Sequence, residues 1–280
     1  MLKRYNIILY STNKIVNSCR YVSQSMLKST VNEKTGIATV IINKPPVNCI
    51  SLELLNKINT EINKLQKDNI RGMILTSVRS LQKVFCGGLD IKEFYNPNPD
   101  RLAKYLTNLQ DTWLSLYMTS FPTVSVINGH SLGGGCLIAM CCDYRVMVGP
   151  DYTIGLNETK LGVVPPKWFQ DTMAAIIGHR KAEVSVIAGK TYTTDEALQI
   201  GLVDESSPDI DNAYKKGIQF LNSFEKISPW AFKMTKNISR QPISQWLIDN
   251  KQKDLEFVFN YMQTPSVQKH LGLYLQSLKK

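Results

Sequence analysis

The chain has 280 residues, 43% of them hydrophobic, and a formal net charge of +10. This is enough apolar material for a substantial core, which excludes a disordered chain, and no run of about 18 uncharged apolar residues occurs, which excludes a spanning helix. Half of the positive excess lies in residues 1–32, where Lys3, Arg4, Lys14, Arg20 and Lys28 stand without an acidic residue, so the charge alone makes no case for a nucleic-acid surface.

An acid-free leader with spaced Lys and Arg and several Ser and Asn fits a mitochondrial transit peptide over residues 1–28, cleaved in the low twenties and addressed to the matrix. Residues 29–280 then form one domain. Ser29 to Asn43 reads as a β-hairpin turning at Glu33–Gly36, and Lys44-Pro45-Pro46 ends it. Leu52, Leu55, Ile58, Ile62 and Leu65 recur at helical spacing, with Ser51 placed to cap, giving a helix to about Lys67.

Gly72–Ser77 is a short strand, followed by polar residues and the loop Phe85-Cys86-Gly87-Gly88-Leu89-Asp90. A helix is expected over about Asp100–Met118. The order then repeats, with a strand at Thr123–Ile127, a glycine-rich loop at Gly129–Gly135, a helix from near Cys136 and a strand at Tyr144–Val148. Strands alternating with helices predict an α/β core to about Leu202. From about residue 208 the chain reads as a helical extension, with breaks near Pro229, Pro242 and Pro265.

Chemistry concentrates in three loops. The run Gly133-Gly134-Gly135 opens a helix whose first N–H groups have no intrahelical partner, and Gly88-Leu89 offers a similar donor. Two such donors could converge on one oxygen as an oxyanion hole, although glycine-rich turns are more often plain tight connections. Neither loop matches the GxxxxGK[ST] or GxGxxG patterns, which disfavours nucleotide binding. Glu158 is flanked by apolar residues; burial would raise its pKa toward that of a neutral-pH base, whereas a solvated glutamate paired with Lys160 is the alternative. The six cysteines lack paired CxxC spacing and only three histidines accompany them, so no metal site is expected.

At these loops the sequence resembles the crotonase (enoyl-CoA hydratase/isomerase) superfamily over about residues 30–278. The likeness rests on Val84-Phe85-Cys86-Gly87-Gly88-Leu89-Asp90 and on Ile127-Asn128-Gly129-His130-Ser131-Leu132-Gly133-Gly134-Gly135-Cys136, with Ile154 to Leu161 similar to its double-bond isomerase branch. The resemblance implies a spiral of ββα units with a C-terminal helical extension, assembled as a homotrimer. It also implies that the backbone N–H groups of Leu89 and Gly134 bind a thioester oxygen. Gly87, Gly88, Asp90, Ile91 and Asn157 are implied to line the substrate site, and Glu158 to be the lone base.

Hydratases of this superfamily carry a further glutamate directly after the Gly-Gly-Gly-Cys run, and here that position is Leu137. The implied reaction is isomerisation of a 3-enoyl-CoA to a trans-2-enoyl-CoA in β-oxidation, with no cofactor beyond the CoA of the substrate. Gly87 and Cys86 depart from a frequent alanine and serine, and both keep the site small. Asp90 is expected to fix its loop, and His130 to be non-catalytic. Trp113, Tyr117, Trp168 and Phe169 are expected in the core or the acyl-pocket wall. The rival readings are an enoyl-CoA hydratase, an RNA-binding protein on the same scaffold, and a non-catalytic scaffold.

Overall fold

The structure is a computed structural model, and it describes residues 25–81 and 83–278. The leader expected over residues 1–28 lies almost wholly outside the described residues. A hairpin opens the fold, with β1 (Leu27–Asn32) antiparallel to β2 (Ile37–Ile42). Strand β2 alternates, so that Ala38, Val40 and Ile42 enter the main core while Ile37 faces the opposite side.

Helix α1 (Leu52–Lys67) buries Leu54, Leu55, Ile58, Ile62 and Leu65 as one stripe. Ser51 holds the cap position, but its hydroxyl makes no capping bond; Leu52 N–H donates instead to Glu93 Oε1 at 3.1 Å.

The spiral is built from turns that each give one strand to each of two sheets. In the first turn β3 (Gly72–Ser77) and β4 (Val84–Cys86) precede α2 (Pro99–Tyr117). In the second, β5 (Thr123–Ile127) and β6 (His130–Leu132) precede α3 (Gly134–Cys141). The third pairs β7 (Tyr144–Val148) and β8 (Thr153–Gly155) with the 3₁₀ turn Glu158–Leu161 and α4 (Lys167–Ile177). There follow α5 (His179–Ile187), β9 (Tyr192–Thr193), α6 (Thr194–Gln199) and β10 (Glu205–Ser207).

The large sheet has the order β1-β2-β3-β5-β7-β10 and the small one β4-β6-β8-β9, parallel except for the β1–β2 and β8–β9 pairs. Helix α7 (Ile210–Asn222) covers the outer face of the large sheet through Ala213 and Leu221 against Ile74, Val124, Val126 and Val146. Burial on both faces explains why β3 reads as a short apolar run and why even Thr123 and Ser125 of β5 are buried.

The fold differs from the sequence reading at three places. The second sheet was not foreseen, because its strands are two or three residues long and lie inside what reads as loop. Helix α3 starts at Gly134 rather than near Cys136, so the glycine run supplies its first turn. Pro242 does not break the chain: α8 runs unbroken over Pro229–Met262 before α9 (Pro265–Ser277). The turn before Pro242 is held by tertiary bonds that offset the lost helix bond. Lys236 Nζ and Arg240 Nη2 donate to Asp143 Oδ2 and Oδ1, each at 2.8 Å.

Candidate active site

The first glycine loop is shaped by the segment before α1. Asn48 donates to Phe85 O at 2.9 Å and accepts from Lys44 N at 2.7 Å, and Gly87 N–H donates to Val47 O at 2.8 Å. Ile50 N–H donates to Gly88 O at 2.8 Å and Asp90 N–H to Ile50 O at 3.0 Å. These bonds occupy the loop's amides on both sides of Leu89, whose own N–H has no acceptor among the described residues. Asp90 pins the loop, accepting from Lys44 Nζ at 3.1 Å and Lys92 N at 3.2 Å, and the 3₁₀ turn Ile91–Glu93 follows.

The second loop meets the first at van der Waals distance. A Cβ placed on Gly134 would lie 2.5 Å from Leu89 Cδ2 and 3.2 Å from Leu89 N. One placed on Gly88, whose φ is +104°, would lie 2.9 Å from Leu132 O and 3.7 Å from Gly134 N. Only glycine permits this approach and that backbone angle. Gly134 is the first residue of α3, so its N–H is one of the helix's orphan donors and carries the positive end of the dipole. The two amides expected to cradle an oxygen therefore stand side by side.

Gly133 carries the second loop past the acid. Its φ is +52°, and a Cβ there would lie 3.2 Å from Glu158 Oε1 and 3.3 Å from Asn157 Oδ1. Glu158 opens the 3₁₀ turn after β8, is 8% exposed, and neither carboxyl oxygen has a hydrogen-bond partner. Burial pushes its pKa up from 4.5 to about 7. It makes no ion pair with Lys160 or any other cation among the described residues, so the solvated alternative does not hold.

An apolar cavity opens beside these groups, and Leu89, Glu158, Val163 and Tyr261 are among the residues that line it. Its walls are largely hydrocarbon and aromatic, from Phe94, Leu106, Leu109, Phe169 and Val258. Trp168 and Phe169 line it, whereas Trp113 and Tyr117 stack on each other at 4.5 Å behind it in the core. Leu137, 1% exposed, is packed in the core one turn into α3 and does not line the cavity. His130 joins β6 to β8: its Nδ1 accepts from Thr153 N at 3.0 Å. Cys86 and Cys136 are buried behind the glycine loops, and burial pushes both thiols up, Cys86 to about 12.

Sequence reasoning missed much of this cavity's lining, including the other acid in it. Asp254 on α8 lines it together with Gln110 of α2 and Trp168 of α4, and its Oδ2 accepts from Gln110 Nε2 at 2.8 Å and Trp168 Nε1 at 3.1 Å. No local signal marked it, because its partners lie 144 and 86 residues away.

A family model described as enoyl-CoA hydratase/isomerase matches residues 32–280. The chain belongs to the enoyl-CoA hydratase/isomerase family. It is 40% identical over 263 residues to enoyl-CoA delta isomerase 1, mitochondrial, of Mus musculus, covering 93% of this chain and 90% of the mouse protein. The protein of that name from Homo sapiens is 36% identical over 263 residues, covering 93% of this chain and 86% of its own length. Among solved structures, human mitochondrial delta3-delta2-enoyl-CoA isomerase superposes with a TM-score of 0.88 at 36% identity, over 91% of this chain and 98% of that one. An enoyl-CoA hydratase from Bacillus halodurans, at 20% identity and a TM-score of 0.80 over 89% of this chain and 100% of that one, shares the fold.

Proposed function

We infer that this family member isomerises 3-enoyl-CoA to trans-2-enoyl-CoA in fatty-acid β-oxidation. The observation that carries the reading is the placement of an unpartnered, buried carboxyl, Glu158, beside the paired amides of Leu89 and Gly134 at the end of an apolar cavity. With the thioester oxygen on the two amides, the acyl chain enters the cavity and passes the Glu158 carboxylate. Glu158 takes a proton from C2, and the electron pair moves into the carbonyl, giving a dienolate whose negative oxygen the two N–H groups stabilise. The acid so formed returns the proton to C4, and the double bond settles between C2 and C3. A pKa of about 7 suits both halves of that transfer, since the group must lose and regain a proton near neutrality.

Hydration would need a second carboxylate to orient water against the same carbon. Leu137 supplies none, and Asp254 Oδ2 is already taken by two donors. The relatives named mitochondrial support a mitochondrial enzyme, with a transit peptide to the matrix that ends before β1, because Leu27 and Lys28 of the expected leader already pair with β2. The mature chain acts as a homotrimer, and CoA enters only as part of the substrate.

Incubation of the purified chain with 3-hexenoyl-CoA and identification of the product tests the assignment. Formation of the conjugated 2-enoyl thioester is expected, with little 3-hydroxyacyl-CoA. Glu158→Gln should bind acyl-CoA and lose turnover; a 3-hydroxyacyl product from the wild type, or full activity in the variant, would contradict the reading.

A further inference from the structure

We propose that Asp254, held by Gln110 and Trp168, ends the acyl cavity and sets the longest acyl chain this enzyme turns over efficiently; the proposal rests on the isomerase reading of the same site. Helix α8 runs along the cavity and places Tyr261 and Asp254 seven residues apart, roughly 10 Å at the rise of an α-helix. The Tyr261 hydroxyl donates to Val164 O at 2.6 Å, and the neighbouring Val163 N–H donates to Glu158 O at 3.1 Å, so this ring stands at the Glu158 end of the cavity. Asp254, two helical turns away along α8, therefore lies toward the other end of the cavity.

At that end three helices are tied together. Besides the two bonds to Asp254 Oδ2, Gln110 Nε2 donates to Lys251 O at 3.1 Å, so α2, α4 and α8 meet across the path a longer chain would take. Asp254 is 7% exposed and has no cation partner among the described residues. A terminal methyl pushed past this point would either strip donors from a buried carboxylate or part the helices, and neither cost arises for a chain that stops short. Hydrocarbon walls reward each added methylene until the wall is reached; a polar, hydrogen-bonded floor then opposes the next one.

The test is a chain-length series, 3-hexenoyl-, 3-decenoyl- and 3-hexadecenoyl-CoA, on wild type, Asp254→Ala and Gln110→Ala. The ratio of kcat/KM for the long to the short substrate is the readout, because a fraction of misfolded protein scales both alike and cancels. Wild type is expected to favour a medium chain over hexadecenoyl. Both variants should move the ratio toward the long chain by about tenfold or more, the selectivity a methylene or two commands in an apolar pocket. An unchanged ratio in the variants that fold, or a wild type that turns over hexadecenoyl best, overturns the proposal. If no chain length is isomerised, the functional reading fails instead. The length limit is then still read from the binding of hexanoyl-, decanoyl- and hexadecanoyl-CoA by calorimetry in the same proteins: a decanoyl optimum that the variants shift to hexadecanoyl supports it, and no shift removes it.

Discussion

Glu158 and Asp254 line one cavity, both are more than nine-tenths buried, and they are treated in opposite ways. Asp254 receives two N–H donors on one oxygen; Glu158 receives none on either. A further acid, the largely buried Asp143, extends the series. Burial pushes its pKa up, but the charges of Lys236 and Arg240 and the donors around it outweigh that, and it is held below its ordinary value. Burial alone thus does not make a base. The cations and donors around Asp143 hold it as a fixed charge, whereas Glu158, with neither, is left able to carry a proton.

The contrast can be broken most directly by rate. Glu158→Gln is expected to cut kcat for 3-hexenoyl-CoA by about 10²- to 10⁴-fold, the usual worth of a general base. A loss below tenfold would place the proton transfer elsewhere. Gly134→Ala follows, because the added methyl would meet Leu89 Cγ at 2.9 Å and Leu89 N at 3.2 Å, so Leu89 must shift to admit it. Displacing one oxyanion donor is worth about 10²- to 10³-fold in kcat. Intact turnover in that variant would show that the amides are not paired on one oxygen.

Stability should then separate the acids by sign. The folded pKa of Glu158 is raised, from 4.5 to about 7, so the wild type loses stability as pH rises through that interval. Glu158→Gln should be neutral below pH 4.5 and stabilising by about 3 kcal/mol above pH 7, read by denaturant unfolding at both extremes. Asp254→Leu should destabilise by about 1–3 kcal/mol for each donor it strands on Gln110 and Trp168. Equal and same-signed effects from the two substitutions would end the comparison. The smallest expected effect is the pH profile: kcat/KM should rise through about pH 7 as Glu158 ionises, and a profile flat from pH 6 to 8 would assign the base wrongly.

Much of this arrangement is legible in the sequence. Strands β3, β5 and β7 fall on the residues expected of them, since doubly covered parallel strands leave short apolar runs with sharp ends. The two glycine loops were readable because a close backbone approach demands a missing side chain, and glycine is the only way to write that. Glu158 was half legible: its apolar neighbours suggested burial, but only the fold removes Lys160 as a partner. Strands β4, β6 and β8 were hidden by being three residues long, too short for a period to register. Asp254 was hidden for another reason: it stands in a long helix of mixed polarity, and what distinguishes it is contributed by α2 and α4. Pro242 misled because the bonds that carry α8 through it come from Asp143, far away in the chain.

The free amide of Leu89, the dipole end at Gly134 and the bare carboxyl of Glu158 have a consequence for the protein's lifetime. Each is a polar group without a partner among the described residues, and the oxygen of a thioester would meet the first two at once. Occupancy then deepens the native well by RT ln(1 + [L]/Kd), about 2.7 kcal/mol when ligand stands a hundredfold above Kd. A cell flush with unsaturated acyl thioesters would accordingly shield this enzyme from proteases, and fasting the organelle of them would thin its stock without any change in synthesis.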